Sequence, residues 1–395
     1  MRLFCFKRMK IMNGLLSMLF AFSIINPIDA FFPLKIPLFI LLFCFCVFFC
    51  KSVRLDSVMP CVIVYSILIL TSFMGGFMEY ETDYDTSFFY YKTFTFLLLI
   101  PWCRYFEVFS STVYSLLIVA FVCVGIYVIG LINEDVFILL YSYLESELKG
   151  LTAISERTFI GINFTSVYYS SACISLVIFP YLLSMWFDGG RKRYGFLAIV
   201  MGVLIFVSGL RAMMLAGFIT FISIILLKFS RKSKAIAVSM FVILSVFTLF
   251  LVIALLNDKG ELSLDAKKKL TQAFFYHLDD NPETLIWGNG VGATFDSLGV
   301  RGRNAVASEL FYYEIIRFFG MPLGLLFLIV YVYPLVLIYK KRRLLLYWKA
   351  ISIGYLSYLF AGGTNPYLIS SNGMITLLIM YAYALNPYYH AKKTL

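Results

Sequence analysis

The chain has 395 residues, of which 61% are hydrophobic and only 14% are charged, and its mean hydropathy is +0.88. Soluble proteins carry about 45–50% apolar and about 25% charged residues, so this composition excludes a water-soluble enzyme. A net charge of +11 would suit a nucleic-acid-binding protein, but the basic residues lie in short loops and form no separate domain, so nucleic acid is not an expected partner.

Long apolar segments recur along the whole chain. A membrane-spanning helix needs roughly 20 apolar residues, and about twelve such segments can be placed. Their ranges are 11–26, 32–50, 58–76, 87–103, 109–131, 159–187, 194–209, 211–228, 235–256, 318–339, 344–362 and 369–386. The sequence therefore predicts an all-α, polytopic membrane protein in which residues 1–395 form a single membrane domain.

The charged residues predict how this domain is oriented. With the N-terminus in the cytoplasm, most of the 33 lysines and arginines fall in cytoplasmic loops, and most of the 22 carboxylates fall outside. Cytoplasmic loops of membrane proteins carry such an excess of lysine and arginine, and an even number of spans returns the C-terminus to the cytoplasm. The basic residues before the first span resemble the start of a signal peptide, but no cleavage pattern follows, so we expect an uncleaved helix.

The eight cysteines all fall in spans or at their cytoplasmic ends, so no disulfide framework is expected. Cys44, Cys46 and Cys50 have no histidine near them, and only two of the three share a helix face. Apolar packing explains them better than a metal site, and no metal is expected elsewhere in a chain with two histidines.

The loops predicted outside the cytoplasm are longer and more varied than the cytoplasmic ones. Residues 75–86 form an acidic loop rich in tyrosine, interpreted as solvated, and a helical stretch is expected around 136–148. The largest loop, 257–304, holds an amphipathic stretch and then the glycine-rich segment Trp287–Gly292. That segment lacks the strand and helix of a dinucleotide site, so it is interpreted as a backbone turn. A helix at 305–317 is predicted to lead into the tenth span.

Five arginines lie outside or at the outer membrane boundary, against the general distribution of charge: Arg157, Arg211, Arg301, Arg303 and Arg317. Arg211 is the most unusual of the five, because it lies between two predicted spans with almost no loop. A guanidinium there is costly unless it reaches the headgroups, pairs with a carboxylate or faces a watery cavity. The functional interpretation is an anion site, since the planar fork of donors suits phosphate oxygens.

The predicted helix 305–317 brings further charged groups together. Glu309, Tyr313 and Arg317 are spaced to lie near one helix face, whereas Glu314 and Arg317 have the spacing of a salt bridge within the helix. Glu309 is either a catalytic base or a carboxylate that favours the helix N-terminus. His277 is expected on the surface of the amphipathic stretch.

Three segments in this order resemble a known family. They are Arg157-Thr-Phe-Ile-Gly161, Ser208-Gly-Leu-Arg211, and Gly288-Asn-Gly-Val-Gly292 followed by Ala307-Ser308-Glu309-Leu310 and Phe319-Gly320-Met-Pro-Leu-Gly324. In order and topology the chain resembles the O-antigen and polysaccharide polymerases (Wzy type) and the related O-antigen ligases. Proteins that look like the ligases usually carry a histidine near the position of Ser308-Glu309, so the resemblance favours a polymerase.

The resemblance implies a GT-C-like glycosyltransferase of the bacterial inner membrane that needs no metal or other cofactor. It would transfer the growing glycan from undecaprenyl diphosphate to a fresh lipid-linked repeat unit, building O-antigen of lipopolysaccharide or a capsule, with a chain-length regulator as a further partner. Arg157, Arg211 and Arg303, with Arg301 and Arg317 beside them, would bind the diphosphate. Glu309 would take the proton of the acceptor hydroxyl.

Two alternatives remain open. A ligase would use the same donor but place the glycan on a lipid core sugar. A lipid-linked oligosaccharide flippase would also be rich in spans, but internal repeats or charges in the middle of spans are typical of transporters, and neither is seen in the sequence.

Overall fold

The computed structural model describes residues 2–27, 33–50, 53, 55–77, 80–147, 152–159, 162–230, 239, 261–300, 305, 308, 310–363, 365 and 368–389. The helices of the first half are α1 (Arg2–Ile25), α2 (Lys35–Phe49), α3 (Leu55–Phe77), α4 (Tyr84–Phe94), α5 (Phe109–Ile132), α6 (Glu134–Glu147), α7 (Ser175–Phe187), α8 (Lys192–Val207) and α9 (Arg211–Ser230). After the gap follow α10 (Glu261–Asp280), α11 (Thr284–Trp287), α12 (Phe311–Lys340), α13 (Trp348–Gly362) and α14 (Ser371–Leu385). Short 3-10 helices lie at Thr95–Tyr105, Ala172–Ile174 and Pro387–Tyr389. The fold class is all-α, as predicted.

Four of these helices are long and apolar enough to cross a membrane, namely those that contain Ser57–Gly76, Phe109–Ile132, Arg211–Ser230 and Phe311–Lys340. Large apolar side chains remain exposed on them, among them Ile69 and Phe73 on α3 and Phe121 on α5. Contiguous apolar surface of this kind is unfavourable in water but is the expected surface of a helix against lipid acyl chains. The chain is therefore built as a membrane protein.

Helix α14 occupies the centre of the bundle. All of its residues from Ser371 to Leu385 are buried, and it contacts α12, α4, α1 and the 3-10 helix at Thr95–Tyr105. Its start is fixed by Ser370, whose side chain accepts a hydrogen bond from the backbone N–H of Gly373, as N-cap serines do. An apolar helix buried on every side is typical of the core of a large helical protein.

The structure corrects the predicted span 159–187. Its first part belongs instead to an antiparallel hairpin of β1 (Thr152–Phe159) and β2 (Ile162–Tyr169), and α7 begins only at Ser175. Residues 152–169 mix aromatic and β-branched side chains with serine, threonine and asparagine, a composition that fits a pleated, half-buried strand better than a lipid-facing helix. The predicted helix around 136–148 is confirmed as α6.

The start of the predicted helix 305–317 also differs from the structure. Helix α12 begins at Phe311 and not at residue 305, because Ala305 pairs with Phe295 in an antiparallel bridge with two backbone hydrogen bonds of 2.9 Å. The segment then continues to Lys340 across a kink at Gly320, where the backbone is not helical. The predicted span 235–256 lies outside the described residues, apart from Ser239.

Gly354 on α13 lies at a close contact between two helices, so its substitution tests how tightly the bundle is packed. A Cβ atom there would lie 2.5 Å from Cγ of Pro180 and 2.6 Å from the carbonyl oxygen of Leu176, both on α7. Small residues at such crossings let membrane helices approach closely. We expect Gly354→Ala to force α13 from α7 and to lower the free energy of unfolding by about 1–3 kcal/mol, measured as a lower thermal midpoint in detergent.

Gly125→Ala is the matched control, because Gly125 on α5 has open space where its Cβ would lie. That variant should keep or slightly raise the thermal midpoint, since alanine favours a helix over glycine by roughly 0.5–1 kcal/mol. Equal midpoints for the two variants would contradict the close crossing of α7 and α13.

Candidate functional site

The predicted site residues are only partly within the described structure. Arg301, Arg303 and Glu309 lie outside the described residues. Arg157 lies on β1, where its backbone pairs with Phe164, and nothing is described of its side chain. Arg211 and Arg317 are described in full, and they have very different surroundings.

Arg211 is the first residue of α9 and follows a tight turn after α8. The turn depends on Gly209, whose φ of +64° is readily adopted only by glycine, and Ser208 closes it by donating to the carbonyl of Ile205 at 2.6 Å. The Arg211 side chain is half-buried. No carboxylate among the described residues forms an ion pair with it. A guanidinium held in this way at the end of apolar helices attracts an anion.

The glycine-rich segment Trp287–Gly292 docks on a break in helix α12. Gly320 interrupts the helix with φ +70° and ψ 171°, and Pro322 has no backbone N–H to offer the carbonyl of Phe318. The carbonyl oxygens at the break are therefore free to accept other bonds. The N–H of Asn289 donates to Arg317 at 2.7 Å, and the N–H of Gly290 donates to Phe318 at 3.0 Å.

Two glycines make this docking sterically possible. A Cβ on Gly288 would lie 2.5 Å from the nitrogen of Gly320, and a Cβ on Gly320 would meet the carbonyl of Ile286 and lie 2.9 Å from the nitrogen of Gly288. Both residues also have φ of +70°, which disfavours any other amino acid. The interpretation of this segment as a backbone turn agrees with its geometry.

The acidic loop keeps Glu81, Tyr84 and Asp85 exposed, as a solvated loop would, while its backbone pairs with the other side of the same turn. The N–H of Asp83 donates to Gly292 at 3.0 Å, the N–H of Thr294 donates to Glu81 at 2.9 Å, and the hydroxyl of Ser87 donates to Val291 at 2.7 Å. Backbone groups so satisfied hold a loop in place. The segment Trp287–Gly292, called the glycine turn below, thus contacts the loop after α3 on one side and the break in α12 on the other.

Arg317 is enclosed in this junction and only 1% exposed. Its guanidinium donates to both oxygens of Glu314, at 2.7 and 3.2 Å, and to the carbonyl of Ala293, and it lies 4.6 Å from the ring centres of Phe295 and Phe318. Of the two interpretations of Arg317, the structure favours the salt bridge with Glu314 over diphosphate binding. The pair anchors the loop to α12.

His277 is placed differently from its expected position on the surface. It is half-buried, and its Nε2 lies 2.6 Å from Nδ2 of Asn289, whose Oδ1 accepts a hydrogen bond of 2.6 Å from Thr284. Asn289 thus connects the ring of His277 to the hydroxyl of Thr284. Desolvation by burial, assisted by the positive charge of Arg317, lowers the pKa of His277.

A second contact secures the same segment. The hydroxyl of Tyr80 donates to Oε1 of Glu283 at 2.8 Å. Hydrogen bonds from the backbone and then from Tyr80 lower the pKa of the Glu283 carboxyl, whereas desolvation by burial raises the pKa of Tyr80. Within the described residues no group of three or more His, Cys, Asp or Glu side chains is arranged to bind a metal.

Comparison with known proteins gives no assignment: no family model, curated protein or solved structure matches the chain. The functional conclusion therefore depends on the residues and their geometry.

Sequence reasoning missed the buried Lys35 at the start of α2. It is 6% exposed, and its Nζ donates to the carbonyl of Pro27 at 2.5 Å. Nearby, the hydroxyl of Ser171 donates to Ile24 at 2.7 Å and the side-chain nitrogen of Asn372 donates to Ser170 at 2.9 Å. These residues form a polar junction between α1, α14 and the end of the hairpin. Only the isolated lysine near the start of the predicted span 32–50 could have indicated it in the sequence.

The buried ion pair gives a sharp prediction for stability. Removing one partner leaves an unpaired charge in a low-dielectric site, so Arg317→Met and Glu314→Gln should each lower the free energy of unfolding by about 3–5 kcal/mol. The double variant Arg317→Met, Glu314→Leu should recover a large part of that loss, measured by thermal midpoints in detergent.

The exposed pair of Lys268 and Asp265, 3.8 Å apart on α10, is the control. Lys268→Ala should change stability by no more than about 0.5 kcal/mol, since surface pairs contribute little. Additive losses in the Arg317 and Glu314 double variant would show that the two charges do not stabilise each other.

The pKa of His277 predicts a pH dependence of the loop. A histidine whose folded pKa lies below its unfolded value of about 6.5 binds protons more readily when unfolded. Its contribution is complete above that value and is lost as the pH falls through the folded pKa, so stability rises with pH in this window. We expect hydrogen exchange of residues 284–293 to become faster as the pH falls below about 6.5, after correction for intrinsic exchange rates.

In His277→Gln this pH dependence should disappear, because glutamine does not titrate. Loop protection that changes equally with pH in both proteins would exclude His277 as the responsible group.

Proposed function

We propose that this chain is a polymerase of lipid-linked oligosaccharide repeat units, a glycosyltransferase that works at the extracytoplasmic face of a bacterial inner membrane. The proposal is supported by the resemblance of the segments at Arg157, Arg211 and Gly288–Gly324 to O-antigen and polysaccharide polymerases. The observation that carries it is Arg211, a half-buried guanidinium at the end of apolar helices that has no ion-pair partner among the described residues.

A lipid diphosphate is the ligand that fits this position best. Its polyprenyl tail belongs among lipid-exposed helices, and its phosphate oxygens accept the paired donors of a guanidinium. The apolar surfaces of α8 and α9 and the charge of Arg211 lie side by side, with exposed Phe206 before the arginine in the sequence. An amphipathic substrate is therefore favoured over a soluble sugar nucleotide.

The chemical step proposed is the one that the resemblance implies. The acceptor hydroxyl attacks the anomeric carbon of the donor glycan, the bond from that carbon to the diphosphate oxygen breaks, and undecaprenyl diphosphate leaves with the electron pair. Arg211, together with Arg157 and Arg303, would stabilise the charge that develops on the leaving group. Glu309 would accept the proton of the attacking hydroxyl.

The full architecture proposed has about twelve spans in a GT-C-like arrangement, with both termini in the cytoplasm. Besides the four long helices, shorter apolar helices are found at Met9–Ile25, Lys35–Phe49, Asp135–Leu144, Ala172–Phe187 and Ser371–Leu385. Basic residues end α9 and α12, at Lys228 and Lys340, which supports a cytoplasmic position for those ends. A chain-length regulator is proposed as a protein partner.

The test is genetic complementation of a deletion strain at matched protein levels. Arg211→Gln and Glu309→Gln should each reduce long glycan chains at least tenfold while single repeat units still reach the surface, because only the transfer step is lost. Arg193→Gln is the matched control, since Arg193 is exposed at the opposite end of α8. Gel analysis of surface glycans gives the chain-length distribution.

Other outcomes would favour other functions. Loss of all surface repeats would favour a flippase or a ligase over a polymerase. Normal chain lengths in the Arg211 and Glu309 variants would exclude the proposed site.

A further inference from the structure

A basic cavity of about 320 Å³ lies at the other end of α9 from Arg211. Its walls come from the C-terminal ends of α7 and α9, the segment after α12, and the first turn of α13. The charged side chains that line it are Asp188, Lys228, Arg342 and Lys349. Its volume is within the range of about 300–1,000 Å³ that is typical of small-ligand sites.

The charges of the cavity do not cancel. Lys228 is paired with Asp188 at 2.7 Å and also donates to the carbonyl of Phe187. Arg342 donates to the carbonyl of Tyr339 at 3.1 Å, and Lys349 lies 5.7 Å from the ring centre of Trp348. Within the described residues neither Arg342 nor Lys349 has a carboxylate partner, so two positive charges remain at the cavity.

The backbone adds further donors to the same wall. Tyr347 precedes α13 in a left-handed conformation with φ +57°, and no side chain caps the helix there. Trp348, Lys349 and Ala350, the first residues of the helix, all line the cavity. Their N–H groups and the positive end of the helix dipole reinforce the charge of the two side chains.

The position of the cavity indicates where its ligand comes from. Both α9 and α12 are long enough to cross a membrane. The last turn of α9 carries Lys228, which lines the cavity, and the last turn of α12 carries Lys340. The remaining walls are apolar, with Ile224, Leu227 and Leu345 among them, and Trp348 has the interfacial character typical of the headgroup level. A ligand here would contact both cationic and apolar side chains.

We propose that this cavity binds the phosphate of an anionic phospholipid, such as phosphatidylglycerol, with Arg342 and Lys349 as its principal cationic contacts. The phosphate diester accepts from the two side chains and from the start of α13, and the glycerol and first acyl carbons lie against the apolar wall. The site is separate from Arg211 and does not depend on glycan transfer.

The experiment uses the full-length protein in detergent, stripped of lipid and then supplied with phosphatidylglycerol or phosphatidylcholine. Native mass spectrometry should show at least tenfold preferential retention of phosphatidylglycerol by the wild-type protein. Arg342→Gln with Lys349→Gln should remove that preference. Lys340→Gln with Arg343→Gln should keep it, since those exposed residues stand at the same end of α12 but do not line the cavity.

Equal preference in the cavity variant and the wild type would overturn the proposal. So would displacement of the lipid by millimolar inorganic phosphate, because that would show a site for a soluble anion. If the cavity variant is not monodisperse, a photoreactive phosphatidylglycerol is used on the wild-type protein. Labelling of the peptides around 224–228 or 342–350 supports the site, and labelling confined to other helices overturns it.

Discussion

The carbonyl oxygens of Arg317 and Phe318 accept the hydrogen bonds through which the glycine turn docks on helix α12, and the contacts of this region depend on them. Gly320 leaves the helical conformation there and Pro322 has no N–H to donate, so backbone acceptors in the middle of an apolar element take partners from outside the helix. Such groups are tolerated at membrane depth only where protein covers them. The N–H groups of Asn289 and Gly290 satisfy these acceptors, at 2.7 and 3.0 Å, and so bring the large loop onto the bundle.

The same contact determines the electrostatics of the region. Once the glycine turn is docked, the carbonyl of Ala293 and the ring of Phe295 close over Arg317, which would otherwise be a guanidinium at a helix surface. Glu314 supplies the compensating charge from one turn away. His277 feels the positive charge of Arg317 as well as its own desolvation, and both lower its pKa. The ring of His277 contacts the side chain of Asn289, the residue whose backbone docks on the helix break.

The sequence predicted well those features that depend on neighbouring residues. Apolar length gave most helices to within a few residues, and the spacing of Glu314 and Arg317 gave their ion pair. The hairpin at 152–169 was missed because its isoleucine, phenylalanine and tyrosine residues count as apolar in a hydropathy window, whatever their strand preference. The packing of the acidic loop was missed because its partners, at Gly292 and Thr294, lie some 200 residues along the chain, beyond any local pattern.

In the candidate site, too, features set by neighbouring residues could be predicted and features set by distant residues could not. The break in α12 could be inferred from Phe319-Gly320-Met-Pro322, but no local pattern shows which segment satisfies its carbonyls. Arg211 stood out because a charge between two spans is rare, whatever the fold around it. Arg317 stood out for the same reason, yet burial gave it a structural role. A charge in an apolar sequence therefore indicates that a partner exists, and only the structure tells whether that partner is inside the chain.

Helix α9 carries such a charge at each of its two ends. The helix begins at Arg211 and carries Lys228 in its last turn, and its 20 residues span about 30 Å, close to the thickness of a hydrocarbon core. Arg211 has no ion-pair partner among the described residues, whereas Lys228 is paired with Asp188 beside a cavity whose other cations are unpaired. In the proposed arrangement, with α9 across the membrane, the helix could not slide along the membrane normal without moving both charges away from the interfaces. A lipid phosphate held at one end would therefore fix the depth of the helix, and with it the height of Arg211 on the opposite face.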